Sequence, residues 1–211
     1  MPTKSTDGPR RRVAVVTGAG KGIGLATAIA LAEEGATVLM WGRTLVPEAL
    51  SRVRALSPAS EFTLVDVSEG EVVERAVSDA ISAHGALDVL VNCAGIAHRG
   101  PLEDVGPKDW DAVMANNLRS VYLCTRAVGI HMKARRSGRV INVSSIAGRS
   151  RSSLLSCAYS TSKAAIIGFT RHVAAELAPY GVIVNCVCPG QTRTPMLEAL
   201  LDPNLEKQIR S

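Results

Sequence analysis

Short apolar runs rich in β-branched residues alternate with longer helical patterns along this 211-residue chain. Six runs predict strands: RVAVVTG, ATVLMWG, EFTLVDV, LDVLVNCAG, GRVINVSS and VIVNCVCPG. The segments between them predict helices, including a long helical region at about residues 109–136 and a helix at about residues 159–177. Strands that are apolar on both faces and separated by amphipathic helices indicate a parallel sheet covered on both sides. We therefore predict an α/β fold with a single doubly wound domain of about six strands.

Composition and charge argue against several classes of function. The formal net charge is +5, but most of it comes from residues 1–12, so the remaining chain is only weakly basic and predicts no nucleic-acid partner. No run reaches the ~18 consecutive apolar residues of a membrane span, and no secretory signal is recognisable. We expect a cytoplasmic protein with no membrane partner, in which a basic flexible tail (residues 1–11) precedes one domain (residues 12–211).

Five cysteines occur without a CxxC pair or a Cys/His spacing suited to zinc. We therefore expect no metal site. Cys186 and Cys188 lie two positions apart in a predicted strand, which points both side chains to one face. We predict that both are small core residues.

A glycine-rich segment, TGAGKGIG at residues 17–24, follows the first predicted strand and opens the first helix. Its glycines have the order GxxxGxG. Missing side chains let a backbone turn tightly and approach a pyrophosphate, while a helix N-terminus offers free N–H groups and a positive dipole. The segment predicts a phosphate-binding site made of Gly18, Gly20, Lys21, Gly22, Ile23 and Gly24.

Arg43 lies at the end of the second predicted strand, where an acidic residue would hydrogen-bond the adenosine ribose of NAD. An arginine can instead bind a 2′-phosphate through two parallel charge-assisted bonds, and Lys21 offers a second positive charge. The pair favours NADP(H) over NAD(H). The alternative is a solvated arginine and a lysine that merely starts a helix.

Six motifs resemble, in their order, those of the short-chain dehydrogenases/reductases. They are TGAGKGIG, NCAG at residues 92–95, NN at 116–117, SS at 144–145, YSTSK, and PGQTRTP from Pro189. The resemblance spans about residues 13–196 and implies a Rossmann-type domain, although Cys93 departs from the usual NNAG. It also implies cofactor contacts from Asp66, Val67, Asn92, Ala94, Gly95, Pro189, Gly190, Thr192 and Thr194.

Tyr159 and Lys163 lie four positions apart, so on a helix both project from one face. A nearby cation favours the phenolate and moves the tyrosine pKa from ~10 toward neutral pH. Such a phenol can exchange a proton with an alcohol or carbonyl oxygen. Taken alone, a tyrosine and a lysine on a helix are usually structural.

The family resemblance supplies roles for the catalytic candidates. It implies that Tyr159 is the general acid/base, and that Lys163 lowers its pKa and holds the nicotinamide ribose. Ser145 would hydrogen-bond the substrate oxygen, and Asn117 would hold a water that links Lys163 to solvent. Thr194 would bind the nicotinamide carboxamide.

Two departures from the family pattern concern the substrate side. The spacing from Ser145 to Tyr159 is one residue longer than usual, in a loop where Leu154 and Leu155 predict an apolar wall and Arg149 and Arg151 could meet an anion. After TPMLEALLDPNLEKQIRS the usual remainder of a helical lid and a seventh strand are missing, which we interpret as a truncated C-terminal end or, alternatively, a natural variant of impaired activity. Strand six would then expose apolar surface unless something covers it.

These features favour an NADP(H)-dependent oxidoreductase that transfers hydride between nicotinamide and a ketone or secondary alcohol. A 3-oxoacyl thioester is one candidate substrate, whose acidic carrier could dock on Arg135, Arg136, Arg139 and Arg171. The alternatives are a sugar, polyol or small carbonyl dehydrogenase using NAD(H), and a non-catalytic cofactor-binding or assembly protein. The resemblance also implies a homodimer or homotetramer formed through the two long helices.

Overall fold

The computed structural model describes residues 11–150, 152 and 154–200. Two predictions therefore concern segments outside the described residues: the flexible tail, apart from Arg11, and the truncated lid beyond residue 200. Arg151 in the loop before Tyr159 also lies outside them.

The described residues form one parallel sheet with the strand order β3-β2-β1-β4-β5-β6. The strands are β1 (Val13–Thr17), β2 (Thr37–Gly42), β3 (Glu61–Leu64), β4 (Val89–Asn92), β5 (Gly138–Val143) and β6 (Val182–Val187). The helices are α1 (Gly22–Glu33), α2 (Pro47–Leu56), α3 (Gly70–His84), α4 (Pro107–Met114), α5 (Ser120–Arg135), α6 (Cys157–Leu177) and α7 (Pro195–Glu198). The predicted single α/β domain with six parallel strands is confirmed.

The strand order reverses between β1 and β4, and this reversal locates the site. Val16 of β1 pairs with Met40 of β2 on one side and with Val91 of β4 on the other. The connections that leave β1 and β4 run to opposite halves of the sheet, so a crevice opens beyond the carboxyl ends of these strands. The glycine-rich segment and the NCAG motif both lie there.

Alternate residues of the central strands enter two separate apolar layers. Val15 and Leu39 belong to the layer that includes residues of α3 and α5. Ala14 and Val38 belong to the layer that includes residues of α1 and α2. All four side chains are buried. Burial on both faces explains why the strands show apolar runs instead of alternation.

The predicted long helix at about 109–136 is interrupted. Between α4 and α5 the chain forms a π-helical turn, Ala115–Arg119, which contains Asn117. The Asn117 side chain accepts a hydrogen bond from Ile96 N at 2.8 Å and donates to Ile96 O at 3.0 Å. The turn thus presents Asn117 to the loop after β4, a tertiary contact that helical periodicity does not reveal.

A chain of buried polar side chains joins β4, β5, α5 and α6. The Asn92 amide donates to Asn142 Oδ1 at 2.8 Å and to Thr125 Oγ1 at 3.0 Å. The Asn142 amide donates in turn to Thr170 Oγ1 at 2.9 Å. All four residues are buried, so loss of one partner leaves another polar group without a hydrogen bond.

We expect Asn142→Ala to lower the free energy of unfolding by about 3 kcal/mol, because it removes one hydrogen bond from each of the buried Asn92 and Thr170 side chains and leaves a cavity between β4 and α6. Urea-induced unfolding followed by circular dichroism measures the change. Asn185→Ala is the matched control, since Asn185 is exposed on the neighbouring strand β6 and should change stability by less than about 0.5 kcal/mol. Equal losses in the two variants would contradict the role of the buried network.

β6 lies at the edge of the sheet among the described strands. Ile183 is 47% exposed and Val187 is 50% exposed, and both lie on the same face of this strand. The prediction that Cys186 and Cys188 are core residues is wrong. Both are half-buried, because this face of β6 borders a groove instead of a closed layer. We call this 680 Å³ cavity the cysteine groove; its lining includes Gly148, Arg149, Gly168, Arg171, Cys186 and Cys188.

Candidate active site

The glycine-rich segment forms a tight turn that leads directly into α1. Gly18 has φ 67° and Gly22 has φ 57°, both in the left-handed region that favours glycine. A Cβ atom on Gly18 would lie 2.9 Å from Ala94 Cα, and one on Gly24 would collide with the carbonyl oxygen of Gly18. The backbone approaches closely only because these side chains are missing.

The start of α1 has room for an anion. Its N-cap residue Lys21 makes no side-chain capping hydrogen bond, so the first N–H groups of the helix receive no side-chain partner from that position. The helix dipole adds positive potential at the same point. This end of α1 therefore fits a phosphate group.

A main cleft of about 490 Å³ lies beyond the carboxyl ends of the central strands and brings together most of the predicted cofactor residues. These are Gly18, Gly20, Lys21, Gly22, Ile23, Gly24, Arg43, Asp66, Val67, Ala94, Gly95, Tyr159, Lys163 and Thr194. Sequence reasoning missed Trp41 and Thr44, which also line it. Trp41 is a buried strand residue. Its place in the apolar run ATVLMWG predicts only a core position.

Asp66 and Arg43 shape one wall of the main cleft. The Asp66 carboxylate accepts hydrogen bonds from Ser68 N at 3.0 Å and from Ser68 Oγ at 2.7 Å. Burial raises the pKa of Asp66, but the Ser68 hydrogen bonds and the Arg43 charge outweigh it and hold the pKa below the ordinary 3.8. Asp66 is therefore ionised and fixed in orientation at neutral pH.

Four predicted cofactor residues lie outside the lining of the main cleft. The Asn92 side chain is turned into the buried polar network, where it joins strands and helices, so its predicted cofactor contact stays a prediction. Pro189, Gly190 and Thr192 line a smaller neighbouring cavity. Their loop reaches the main cleft only farther along, at Thr194.

This side pocket has a volume of about 220 Å³. Its lining includes the polar residues Ser144, Ser145, Ser152, Tyr159, Gln191, Thr192 and Thr194. The apolar part of the lining includes Ile146, Leu154, Leu155, Met196, Leu197 and Leu200. Leu154 and Leu155 supply the predicted apolar wall, whereas Arg149 lines the cysteine groove. Among the described residues, no charged side chain lines the side pocket. The pocket therefore suits an uncharged group that combines a polar atom with hydrocarbon.

Tyr159 borders both the main cleft and the side pocket. Ser156 caps α6 through its hydroxyl, which accepts from Tyr159 N at 3.5 Å. Ser145 and Tyr159 both line the side pocket, and Ser145 Oγ accepts from Ala147 N at 3.1 Å. The phenol and the serine hydroxyl thus face the same side pocket, and Tyr159 also borders the main cleft.

Lys163 lies one helical turn beyond Tyr159 on the same face of α6. Its Nζ atom is 5.7 Å from the centre of the Tyr159 ring and donates to Val143 O at 2.9 Å. Lys163 O accepts from Ser144 Oγ at 2.7 Å, a contact that the adjacent serines of the SS motif did not by themselves reveal. These contacts bind α6 to the end of β5.

The electrostatics differ from the sequence prediction, in which Lys163 lowers the pKa of Tyr159. Burial raises the pKa of Tyr159 above 10.0; the Ser145 hydrogen bond opposes this and Cys93 adds to it. Burial also lowers the pKa of Lys163 to about 8, against the opposing effect of nearby thiols. Desolvation dominates both groups, because each favours its uncharged form in a buried site.

Asn117 and Lys163 converge on Gly95. A Cβ atom added to Gly95 would lie 3.0 Å from Asn117 Oδ1 and 3.8 Å from Lys163 Nζ. Asn117 also donates to Ser162 Oγ at 3.1 Å. Of the predicted catalytic residues, Tyr159 and Ser145 line the same side pocket, while Asn117 is a buried clamp between the β4 loop and α6.

Comparison with known proteins agrees with this architecture. The sequence model for short chain dehydrogenases matches residues 12–204. The chain belongs to the short chain dehydrogenase family. Its members are oxidoreductases that act on alcohol or ketone groups with a nicotinamide cofactor, so this family member is an enzyme of that class.

Three relatives of this short chain dehydrogenase illustrate the match. The short-chain reductase protein NovJ of Streptomyces niveus is 43% identical over 192 residues, covering 90% of this chain and 72% of that protein. The 3-oxoacyl-[acyl-carrier-protein] reductase of Synechocystis is 39% identical over 192 residues, covering 90% and 77%. The crystal structure of levodione reductase superimposes with a TM-score of 0.87 at 34% identity, covering 93% of this chain and 79% of that one. Within the described ranges, no helix has the length and apolar character needed to cross a membrane.

Proposed function

We propose that this dehydrogenase is an NADP(H)-dependent reductase that converts an apolar ketone to a secondary alcohol. The observation that carries the proposal is the position of Tyr159, which borders both cavities and shares the side pocket with Ser145. In this arrangement a nucleotide occupies the main cleft and a carbonyl compound occupies the side pocket. Bound nicotinamide would supply the hydride that the carbonyl carbon accepts.

The residues of the main cleft fit a dinucleotide. The glycine cradle and the start of α1 would hold the pyrophosphate, and Asp66 with Val67 would border the adenine. Ala94, Gly95 and Thr194 lie nearer Tyr159 and would border the nicotinamide half. We propose that Lys163 binds the adjoining ribose, because its ammonium group faces the same cleft.

The relative pKa values of Tyr159 and Lys163 support reduction of a ketone as the direction of the reaction. The raised pKa of Tyr159 keeps the phenol protonated at neutral pH, so it can donate its proton to the carbonyl oxygen. Ser145 would stabilise the negative charge that develops on that oxygen. Lys163, with a pKa of about 8, is the stronger acid and can return a proton to the phenolate. Asn117 would support proton supply from solvent by holding the loop beside Lys163.

We expect kcat/KM for the reduced nucleotide to fall as pH rises through about 8. Lys163 has its pKa lowered to about 8, so its charge is present below this pH and lost above it. The midpoint is measured from kcat/KM values collected between about pH 6 and about pH 10, a range centred on the pKa of Lys163. In Lys163→Arg the guanidinium stays charged, so any residual activity should lack this midpoint; an unchanged midpoint would exclude Lys163 as its source.

NADP(H) preference is proposed from two cations in the main cleft, Lys21 and Arg43. Arg43→Gln should weaken the preference for NADPH over NADH by about 10- to 100-fold, since one charge-assisted contact to a 2′-phosphate contributes roughly 1.5–3 kcal/mol. The ratio of kcat/KM values for the two nucleotides measures it. Arg75→Gln, an exposed position on α3, is the control. If Arg43→Gln leaves this ratio unchanged, Arg43 does not bind a 2′-phosphate, and NAD(H) becomes the favoured cofactor.

The pocket lining favours an apolar carbonyl compound over a sugar or polyol. Leucine side chains offer no hydrogen bonds to the several hydroxyls of a sugar, and their burial favours hydrocarbon. The similarity to a 3-oxoacyl reductase supports an acyl chain as one such compound. Turnover of a medium-chain ketone and of an acetoacetyl thioester, compared with a sugar panel, tests this choice.

The arginine surface predicted to dock an acyl carrier does not border either cavity. Arg135 ends α5 and Arg139 lies at the start of β5, whereas the cavities open at the far end of β5, roughly 17 Å away for a six-residue strand. Arg135 is paired with Asp88 at 3.2 Å, and Arg136 donates to Pro179 O at 2.9 Å. Arg171 faces the cysteine groove. A carrier-bound substrate would therefore need a different docking surface.

We further propose a homodimer or homotetramer formed through α5 and α6. Ile130 is 61% exposed and Tyr122 is 47% exposed on α5. The Tyr122 ring contacts Phe169 of α6 edge to face, with centroids 6.5 Å apart, which makes one apolar surface across both helices. Sedimentation equilibrium tests the assembly. The cytoplasmic location stays a prediction.

A further inference from the structure

Lys163 is held at both ends by the residues with which β5 ends. Its ammonium Nζ donates to Val143 O at 2.9 Å. Its own carbonyl oxygen accepts from the hydroxyl of Ser144, the next residue along the chain, at 2.7 Å. All three residues are buried. Two adjacent residues thus fix the backbone and the tip of one lysine side chain and close a ring of contacts around it.

Gly148 touches the same part of α6 from farther along the loop. It ends the 3₁₀ turn Ile146–Gly148. A Cβ atom added to Gly148 would lie 2.6 Å from Lys163 C and 2.7 Å from Ala164 N, so only glycine lets the turn pack this closely. Ser144 and Gly148, one on each side of Ser145 in the sequence, therefore contact the single peptide group that joins Lys163 to Ala164.

We propose that Ser144 and Gly148 are positioning residues that hold the Lys163 side chain in one conformation facing the main cleft before any ligand binds. A lysine side chain has a flexible four-carbon stem and loses much conformational entropy when it is ordered. Here the protein itself imposes that order. A ligand that hydrogen-bonds to the ammonium avoids much of this cost, which raises its affinity. That this ligand is the nicotinamide ribose rests on the proposed function.

The same contacts set the position of Ser145 relative to α6. Ser144 N donates to Val187 O of β6 at 2.8 Å, while its hydroxyl reaches α6. Loss of the hydroxyl frees the segment from α6 and leaves its contact with β6 in place. We therefore expect this one change to displace both Ser145 and Lys163.

The first test compares Ser144→Ala with Ser60→Ala. Ser60 is also buried, and its hydroxyl accepts from Val38 N at 2.9 Å. It lies outside the lining of the main cleft and of the side pocket. Each variant loses one buried hydrogen bond, so both should lower the melting temperature. Only Ser144→Ala should weaken the binding of NADPH, by about 10-fold, as measured by quenching of tryptophan fluorescence.

The titration of Lys163 supplies a readout that needs neither nucleotide nor turnover. Burial lowers the pKa of Lys163 to about 8, and a side chain released from these contacts meets more water. Its pKa should therefore rise in Ser144→Ala towards the ordinary 10.5. NMR titration of isotope-labelled lysine side chains measures this change, and Lys163→Arg identifies the signal by removing it. Ser60→Ala should leave the pKa unchanged.

Two further variants keep the test informative if Ser144→Ala does not fold. Ser144→Cys fills a similar space with a weak hydrogen-bond donor and should show the same raised lysine pKa. Gly148→Ala should also raise it, because the added Cβ atom forces the turn away from the Lys163 backbone.

The outcomes separate the positioning role from the proposed function. An unchanged lysine pKa together with unchanged NADPH affinity in a folded Ser144 variant would overturn the positioning role. An equal loss of affinity in Ser60→Ala would overturn it as well. If the lysine pKa rises in Ser144→Ala but the wild-type protein binds no nucleotide, the positioning of Lys163 stands and the proposed function fails.

Discussion

Tyr159→Phe should lower kcat for ketone reduction by about 10³-fold or more, within the range measured for loss of a general acid. The phenylalanine ring keeps the packing of α6 but has no proton to donate. Nucleotide binding should change little, because the rest of the main cleft is intact. Stopped-flow measurement of nucleotide oxidation, with nucleotide affinity from quenching of tryptophan fluorescence, separates the two effects.

Tyr180→Phe is the matched control for this prediction. Tyr180 lies after α6, where Lys133 Nζ stacks 4.2 Å from its ring centre, and phenylalanine preserves that contact. It should keep the wild-type rate. A Tyr159→Phe variant that binds nucleotide and retains the full rate would remove Tyr159 from the mechanism. A wild-type protein that binds nucleotide but turns over no carbonyl compound would favour the non-catalytic alternative.

Ser145→Ala should lower kcat by about 10²- to 10³-fold, the effect of losing one donor to a developing oxyanion. Ser145 also makes the one hydrogen bond that opposes the raised pKa of Tyr159. Its loss should therefore raise the tyrosine pKa further. Steady-state kinetics across the pH range, combined with absorbance titration of tyrosine, measures both consequences.

Ser150→Ala provides the comparison for Ser145→Ala. Ser150 is exposed a few residues farther along the same loop, and its hydroxyl donates to Ile146 O at 3.3 Å. We expect a rate within about 2-fold of the wild type, as for most surface substitutions. Equal losses in both variants would mean that the loop as a whole, and not the Ser145 hydroxyl, supports the reaction.

Local patterns were sufficient for the fold and for much of the site. Apolar runs mark strands covered on both faces, because such strands cannot meet water on either side. The glycine order predicted the turn at Gly18 and Gly22, since a positive φ and a close backbone approach exclude most side chains. The four-residue spacing of Tyr159 and Lys163 predicted their shared face, since helical geometry alone sets it.

The burial of a side chain and the direction in which it points depend on contacts between distant parts of the chain. The sequence was insufficient to predict them. Asn92 follows the predicted strand but turns into a network with Asn142 and Thr125. Cys186 and Cys188 have the spacing of core residues, yet both are half-buried and line a groove. The arginines around β5 are basic in sequence but lie at the end of the strand opposite the cavities.

The amino-acid order by itself determined the strand and helix pattern, the glycine turn and the pairing of a phenol with an amine on one helix face. Only the tertiary structure decided how readily each of those groups gives up its proton. Desolvation raises the pKa of Tyr159 and lowers that of Lys163 to about 8. The cost of removing a charge from water depends on everything packed around it, and no spacing along the chain contains that information.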